Sequence, residues 1–163
     1  MEPTRKVLPR DALAPLLAAA RRDGERVVLC NGVFDLLHVG HVRVLQAARD
    51  CGDRLVVALN DDASARANKG ADRPWVAAAD RAEVVAALAC VDFVTFFPER
   101  DVAATLRLLA PAVHAKGGDY DPARIPAAER QAAAELGIEL VLVGGPKRDS
   151  SSALAARVRA SGE

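Results

Sequence analysis

Short unbroken apolar runs alternate along this chain with longer stretches whose apolar residues recur three and four apart. Residues 26–30 (Arg26-Val27-Val28-Leu29-Cys30) and 54–59 (Arg54-Leu55-Val56-Val57-Ala58-Leu59) leave no position for a wet face, which predicts fully buried strands. Residues 92–96, 112–115 and 138–143 read as three further strands. Helical spacing predicts a helix over 11–22 closed by Gly24, and another over 39–49 with Val42, Leu45 and Ala48 in its stripe, ended by Gly52. More helices are expected over 80–89 (Val84, Val85 and Leu88 inward), 101–109, 127–136 and 151–159. Residues 63–79, which contain Lys69-Gly70-Ala71-Asp72-Arg73-Pro74, read as a loop and as the most mobile part of the chain.

Five strands alternating with helices predict an α/β fold, a doubly wound five-stranded parallel sheet with helices on both faces. The 163 residues are expected to form one domain, an N-terminal helix within residues 1–24 and a core over 26–159. Ligands of such sheets lie beyond the carboxyl ends of the strands. Attention therefore falls on residues 31–41, 60–74, 97–101, 116–121 and 144–152.

Charge narrows the partners. Twenty-two basic side chains balance 22 acidic ones, so no global field favours nucleic acid or an acidic membrane surface, and neither is expected as a partner. No apolar run nears the roughly 20 residues of a spanning helix, and the first eight residues lack the apolar core of a secretory signal. Cys30, Cys51 and Cys90 form no CxxC pair, and an odd count argues against a disulfide framework. A cytoplasmic protein is expected.

The candidate chemistry concentrates in Asn31-Gly32-Val33-Phe34-Asp35-Leu36-Leu37-His38-Val39-Gly40-His41, between the first strand and its crossover helix. Gly32 permits a tight exit from the strand. His38 and His41, three apart, share a face of the first helical turn. Gly40 between them removes a side chain from a helix start whose free N–H groups and dipole favour an anion. Zinc ligation is the competing use of two histidines, but only His114 remains and no cysteine spacing completes a site, so no protein-held metal is expected. A dinucleotide G-x-G-x-x-G and a Walker G-K-[ST] are both absent. Trp75 and His114 read as structural.

This H-x-G-H turn resembles the signature of the HxGH nucleotidyltransferase superfamily, which has a Rossmann-like fold and moves a nucleoside monophosphate from a triphosphate onto a phosphorylated acceptor. Three other stretches resemble the family's motifs: Lys69-Gly70-Ala71-Asp72-Arg73-Pro74 followed by Asp80-Arg81, Lys116-Gly117-Gly118-Asp119-Tyr120, and Ser150-Ser151-Ser152-Ala153-Leu154. The H-x-G-H turn, Asn60-Asp61-Asp62-Ala63-Ser64, the K-G-x-x-R-P stretch and Lys116-Gly117-Gly118-Asp119-Tyr120 are together most similar to the adenylyltransferases that make ADP-heptose. The resemblance covers nearly all of residues 26–158. It implies transfer of AMP from ATP to D-glycero-β-D-manno-heptose 1-phosphate, with Mg²⁺ held mainly by the triphosphate. It also implies a homodimer, and a separate heptose-phosphate kinase upstream that supplies the sugar phosphate. Alternatives are a cytidylyltransferase acting on glycerol 3-phosphate or a related polyol phosphate, and a nucleotide-binding regulator without turnover. The sequence departs from the family at Trp75, where a small aliphatic is usual, and at Asp149, where a glycine precedes the serines.

An acceptor phosphate is ionised at neutral pH and needs no base, so the protein's task is positioning and charge neutralisation. His38, His41 and Lys69 are the expected catalytic donors, with Arg73 beside them. Asn31, Gly32, Val33, Phe34, Gly40, Arg73, Gly118, Asp119, Ser150, Ser151 and Ser152 are expected at the nucleotide. Asp35, Asn60, Asp61, Asp62 and Lys116 are expected at the acceptor, though Asn60 or Asp61 would serve equally well as a helix cap.

Overall fold

Side chains alternate across a strand, so a run that is apolar at every position must be covered on both faces. The computed structural model, which describes residues 2–118 and 121–145, has that arrangement. Five strands, β1 (Val27–Gly32), β2 (Arg54–Asn60), β3 (Phe93–Phe97), β4 (Val113–Gly117) and β5 (Glu139–Val143), form one parallel sheet in the order β3-β2-β1-β4-β5. Helices α2 (Val39–Arg49) and α4 (Ala78–Ala86) cover one face: Leu45, Ala48, Ala82, Val85 and Ala86 meet Val28, Cys30, Leu55, Val57 and Leu59. Helices α1 (Arg10–Arg22), α5 (Ala103–Leu109) and α6 (Ala127–Leu136) cover the other: Leu13, Leu17, Leu106, Leu109 and Ala132 meet Val27, Leu29, Val56 and Ala58. Each fully buried leucine contributes about 1.5–3 kcal/mol of transfer free energy.

The chain fills the sheet outward from β1 in one direction through β2 and β3, then returns to place β4 and β5 on the other side. The strand order thus reverses between β1 and β4. The helix after β1 (α2) and the helix after β4 (α6) lie on opposite faces, which opens a crevice at the carboxyl ends of those two strands. At the β3 edge, Val7 bridges to Val94 and the Leu8 N–H donates to the Val94 carbonyl at 2.9 Å. The N-terminal segment thereby covers part of an otherwise unpaired edge.

The sheet and its crossovers follow the hydrophobic pattern, with α2 and α6 at the expected bounds. Two expectations fail. Residues 63–79 are not all loop, because α3 (Asp62–Lys69) occupies the start of that stretch. Only Ser64 and Ala65 of α3 are buried, so it carries no apolar stripe, and it forms because the Asp61 carboxylate accepts the Ser64 N–H at 2.7 Å. Val84 does not face inward: it is 49% exposed, because α4 turns Arg81, Ala82, Val85 and Ala86 to the core instead. The helix expected over 151–159 lies outside the described residues. No described helix is long and apolar enough to cross a membrane.

Candidate active site

The first strand leaves the sheet at Gly32, and the turn that follows depends on two glycines. Phe34 adopts a left-handed backbone (φ 51°), which folds its ring back over Gly32. A Cβ on Gly32 would lie 2.9 Å from Phe34 Cε2, so any larger residue there would push the ring from this position. The same ring stands 5.1 Å from that of His41, centroid to centroid, and forms one wall beside it.

His38 is the N-cap of α2. Its Nδ1 accepts the Gly40 N–H at 3.1 Å, and its own N–H donates to His41 Nδ1 at 3.3 Å. The two rings lie 3.9 Å apart at 31°. An imidazole nitrogen that accepts a hydrogen bond carries no hydrogen, so each neutral ring bears its hydrogen on Nε2. Helix capping thus fixes the tautomer of both histidines and assigns Nε2–H as the donor of each, at the positive end of an 11-residue helix. Gly40 serves the cap more directly than it serves ligand access. A Cβ there would stand 2.8 Å from His38 Cε1 and 2.9 Å from Nδ1.

Asp35, expected at the acceptor, is buried and engaged by the chain itself. Oδ1 accepts the N–H groups of Trp75 (2.8 Å) and Val76 (3.0 Å), and Oδ2 pairs with Arg73 Nη1 at 2.5 Å. Arg73 also lies 3.6 Å over the Trp75 ring, a cation–π contact. The carboxylate therefore pins residues 73–76 beside the histidine turn. Trp75 is 40% exposed, so its structural part is played through these contacts at the surface and not in the core. Lys69, the last residue of α3, is exposed.

A second anchor escaped the sequence reading. Arg81, 1% exposed, sends Nη1 to the Val33 carbonyl (2.6 Å), Nη2 to the Asn60 carbonyl (3.0 Å) and to Asp62 Oδ1 (2.8 Å), and Nε to the Val76 carbonyl (2.9 Å). One guanidinium thus ties together the exits of β1 and β2, the start of α3 and the 73–76 segment. For Asp62, partial burial works to raise its pKa. The Arg81 hydrogen bond, the Ala78 N–H and the charges of Arg81 and Arg66 outweigh it and hold the carboxyl below its ordinary range. Asn60 is buried against Ser64 Oγ (3.2 Å), and Asp61 caps α3. The pattern signal for Arg81 was its place in α4 directly after the K-G-x-x-R-P stretch, but an arginine on an amphipathic helix ordinarily faces water.

At the mouth of β4, Lys116 is 5% exposed and pairs with Glu129 Oε2 on α6 and with Asn31 Oδ1 on β1, both at 2.8 Å. His114 Nε2 lies 2.9 Å from the same asparagine oxygen. Gly118 meets the neighbouring strand exit closely: its N–H donates to the Val143 carbonyl at 2.5 Å, and a Cβ would lie 2.9 Å from the Gly145 carbonyl oxygen.

The structure therefore gathers Gly32, Val33, Phe34, Asp35, His38, Gly40, His41 and Arg73 at one turn. Arg81 joins Asn60 and Asp62 to that turn, and Asn31 and Lys116 lie across the β1–β4 boundary. Asp119, Tyr120, Ser150, Ser151 and Ser152 lie outside the described residues. Among the described residues no three His, Cys, Asp or Glu side chains are grouped to hold a metal ion. The donors at the histidine turn suit anionic oxygens.

The cytidylyltransferase-like family profile matches residues 29–146. The chain is similar to Bifunctional protein HldE of Geotalea uraniireducens (strain Rf4), 52% identical over 120 residues that span 74% of this chain and 24% of that one. It is also 49% identical over 124 residues to Bifunctional protein HldE of Koribacter versatilis (strain Ellin345), spanning 76% of this chain and 26% of that one. The crystal structure of the lipopolysaccharide core biosynthesis protein from Thermoplasma volcanium GSS1 has a TM-score of 0.64 and 30% identity, covering 76% of this chain and all of that one. The chain spans about a quarter of the length of the curated relatives it matches.

Proposed function

This chain belongs to the cytidylyltransferase-like family of nucleotidyltransferases, and from that membership we propose that it transfers AMP from ATP to a sugar 1-phosphate, D-glycero-β-D-manno-heptose 1-phosphate. In this reaction an oxygen of the sugar phosphate attacks the α-phosphorus of MgATP. The bond from the α-phosphorus to the bridging oxygen breaks, and pyrophosphate leaves with that electron pair. The products are ADP-heptose and pyrophosphate.

The observation that carries this reading is the pair of capped imidazoles. Two Nε2–H donors, fixed in tautomer before any ligand arrives, stand at a helix N-terminus where charge would build on the α-phosphate and the departing pyrophosphate. Such preorganised donors cost no reorganisation during the reaction, and each is worth on the order of 10²–10³ in rate. Lys69 and Arg73 would add positive charge from the K-G-x-x-R-P stretch, Arg73 while held by Asp35. The backbone at Val33 and Phe34, fixed by Arg81, would receive the α-phosphate. The metal enters as part of the triphosphate substrate.

The choice of ATP and heptose is supported by the four motif stretches that resemble the ADP-heptose adenylyltransferases. It is supported further by HldE relatives near 50% identity and by a structural neighbour titled for lipopolysaccharide core biosynthesis. The phosphorylated acceptor would come from a kinase-class reaction upstream. The test is pyrophosphate release from ATP and from CTP with a panel of sugar and polyol phosphates. ATP with heptose 1-phosphate should give the highest kcat/KM. Turnover confined to CTP and glycerol 3-phosphate would overturn the substrate assignment, and nucleotide binding without turnover would overturn the enzymatic one.

A further inference from the structure

Asn31 ends β1 and Lys116 stands near the end of β4, the two strands between which the sheet order reverses. Asn31 is half-buried at the floor of the crevice that opens there. Its carboxamide orientation is determined by chemistry. Lys116 Nζ is only a donor, so the atom 2.8 Å from it must be the oxygen. His114, with no exposed surface, is held neutral because burial first and the Lys116 charge second push its pKa down to about 3. Its single ring hydrogen is then on Nε2, 2.9 Å from the same oxygen, and Nδ1 is left buried without a hydrogen-bond partner. Lys116 is itself fixed by Glu129, whose Oε1 accepts the Val102 N–H at 3.2 Å. With both donors on Oδ1, the Asn31 amide nitrogen and its two hydrogens point the other way.

This arrangement is expensive for the fold. A buried ion pair rarely outperforms apolar residues of the same volume, and a buried nitrogen without a partner loses its hydration with nothing in return. An aliphatic side chain at position 114 would fill the site without that cost. What the arrangement secures is the direction of one carboxamide at the switch point of the sheet.

We propose that His114 and Lys116 are positioning residues that lock the Asn31 carboxamide so that its Nδ2 hydrogens donate to a phosphate oxygen of the bound nucleoside triphosphate. The proposal rests on the nucleotidyltransferase reading above.

The test is calorimetric titration of α,β-methylene-ATP and α,β-methylene-CTP into the wild type, His114→Leu, His114→Gln, Asn31→Ala and the His114→Leu/Asn31→Ala double variant, with thermal melts of each. His114→Leu should bind nucleotide about tenfold more weakly, the effect of losing about one well-placed hydrogen bond, yet melt no lower than the wild type because the orphaned Nδ1 is gone. His114→Gln, whose amide can donate to Oδ1, should return binding to within about twofold. Asn31→Ala should weaken binding as much as His114→Leu, and the double variant no further, since both act through one group. Unchanged affinity in His114→Leu, or losses that add in the double variant, would overturn the positioning role and leave the transfer reaction standing. A wild type that binds neither analogue would overturn both.

Discussion

His38 and His41 hold each other's geometry: the His38 N–H donates to His41 Nδ1, while His38 Nδ1 takes the N–H of Gly40. The same bonds that cap the helix decide which nitrogen of each ring carries the hydrogen. Local helix chemistry and the proposed phosphate chemistry are therefore one arrangement.

Gly40 is the weak point of that arrangement. In Gly40→Ala the new Cβ would lie under 3 Å from the His38 ring. The ring can swing aside, so the melting temperature should fall by only a few degrees, the cost of about one lost cap. The displaced imidazole loses its aim, and kcat should fall by on the order of 10² or more. Paired melts and pyrophosphate-release rates check this, and an active Gly40→Ala would separate the cap from the chemistry.

Arg81 behaves differently because it is buried and saturated with partners. Arg81→Met would strand the Val33 and Asn60 carbonyls and free Asp62. Removing one partner from such a network costs about 3–5 kcal/mol, so the melting temperature should drop by roughly 6–20 °C. A drop under about 2 °C in differential scanning calorimetry would show that the staple carries little.

Arg73→Lys keeps the charge near Asp35 but loses the planar contact with Trp75. Trp75 is the single tryptophan of the chain, so its fluorescence reports this site alone. The emission should shift to the red as the ring gains water, and kcat/KM should fall by about tenfold with a smaller change in melting temperature. An unchanged spectrum would contradict the stacked arrangement.

His114 makes a pH prediction with a definite sign. Its folded pKa is near 3 against 6.5 for an ordinary imidazole, so between those values the unfolded chain binds more protons and acid favours unfolding. The stability tied to a neutral His114 is fully present above about pH 6.5 and is lost as pH falls toward about 3. His114→Leu removes this titration. Its melting temperature relative to the wild type should rise steadily as the pH is lowered from about 7 to about 4.5. A constant difference across that range would contradict the buried neutral imidazole.

The strands, the crossovers and the histidine turn were legible in the sequence because each is written in local chemistry: apolar runs, 3.6-residue stripes, a glycine-bounded turn. Helix α3 was not, since its eight residues bury only Ser64 and Ala65 and no stripe marks them. Asp61 three residues before Ser64 was the one visible sign of a start. The buried partners of Arg81 and Lys116 were not legible for the opposite reason. A charged side chain reads as a surface or substrate group until its partners are known, and those partners come from elements distant in sequence. Asp35 and Arg73 were both noticed, but their attachment to each other depends on the tertiary placement of residues 73–76.

In the proposed reaction the Nε2–H groups of His38 and His41 meet the phosphate chain of the nucleotide. A crystal structure of this protein with α,β-methylene-ATP, Mg²⁺ and heptose 1-phosphate tests it most directly. The α-phosphate oxygens should lie within hydrogen-bonding distance of at least one of those nitrogens, with the sugar phosphate oxygen in line behind the α-phosphorus. A triphosphate seated away from the histidine turn, or both imidazoles turned onto protein groups in the complex, would contradict it.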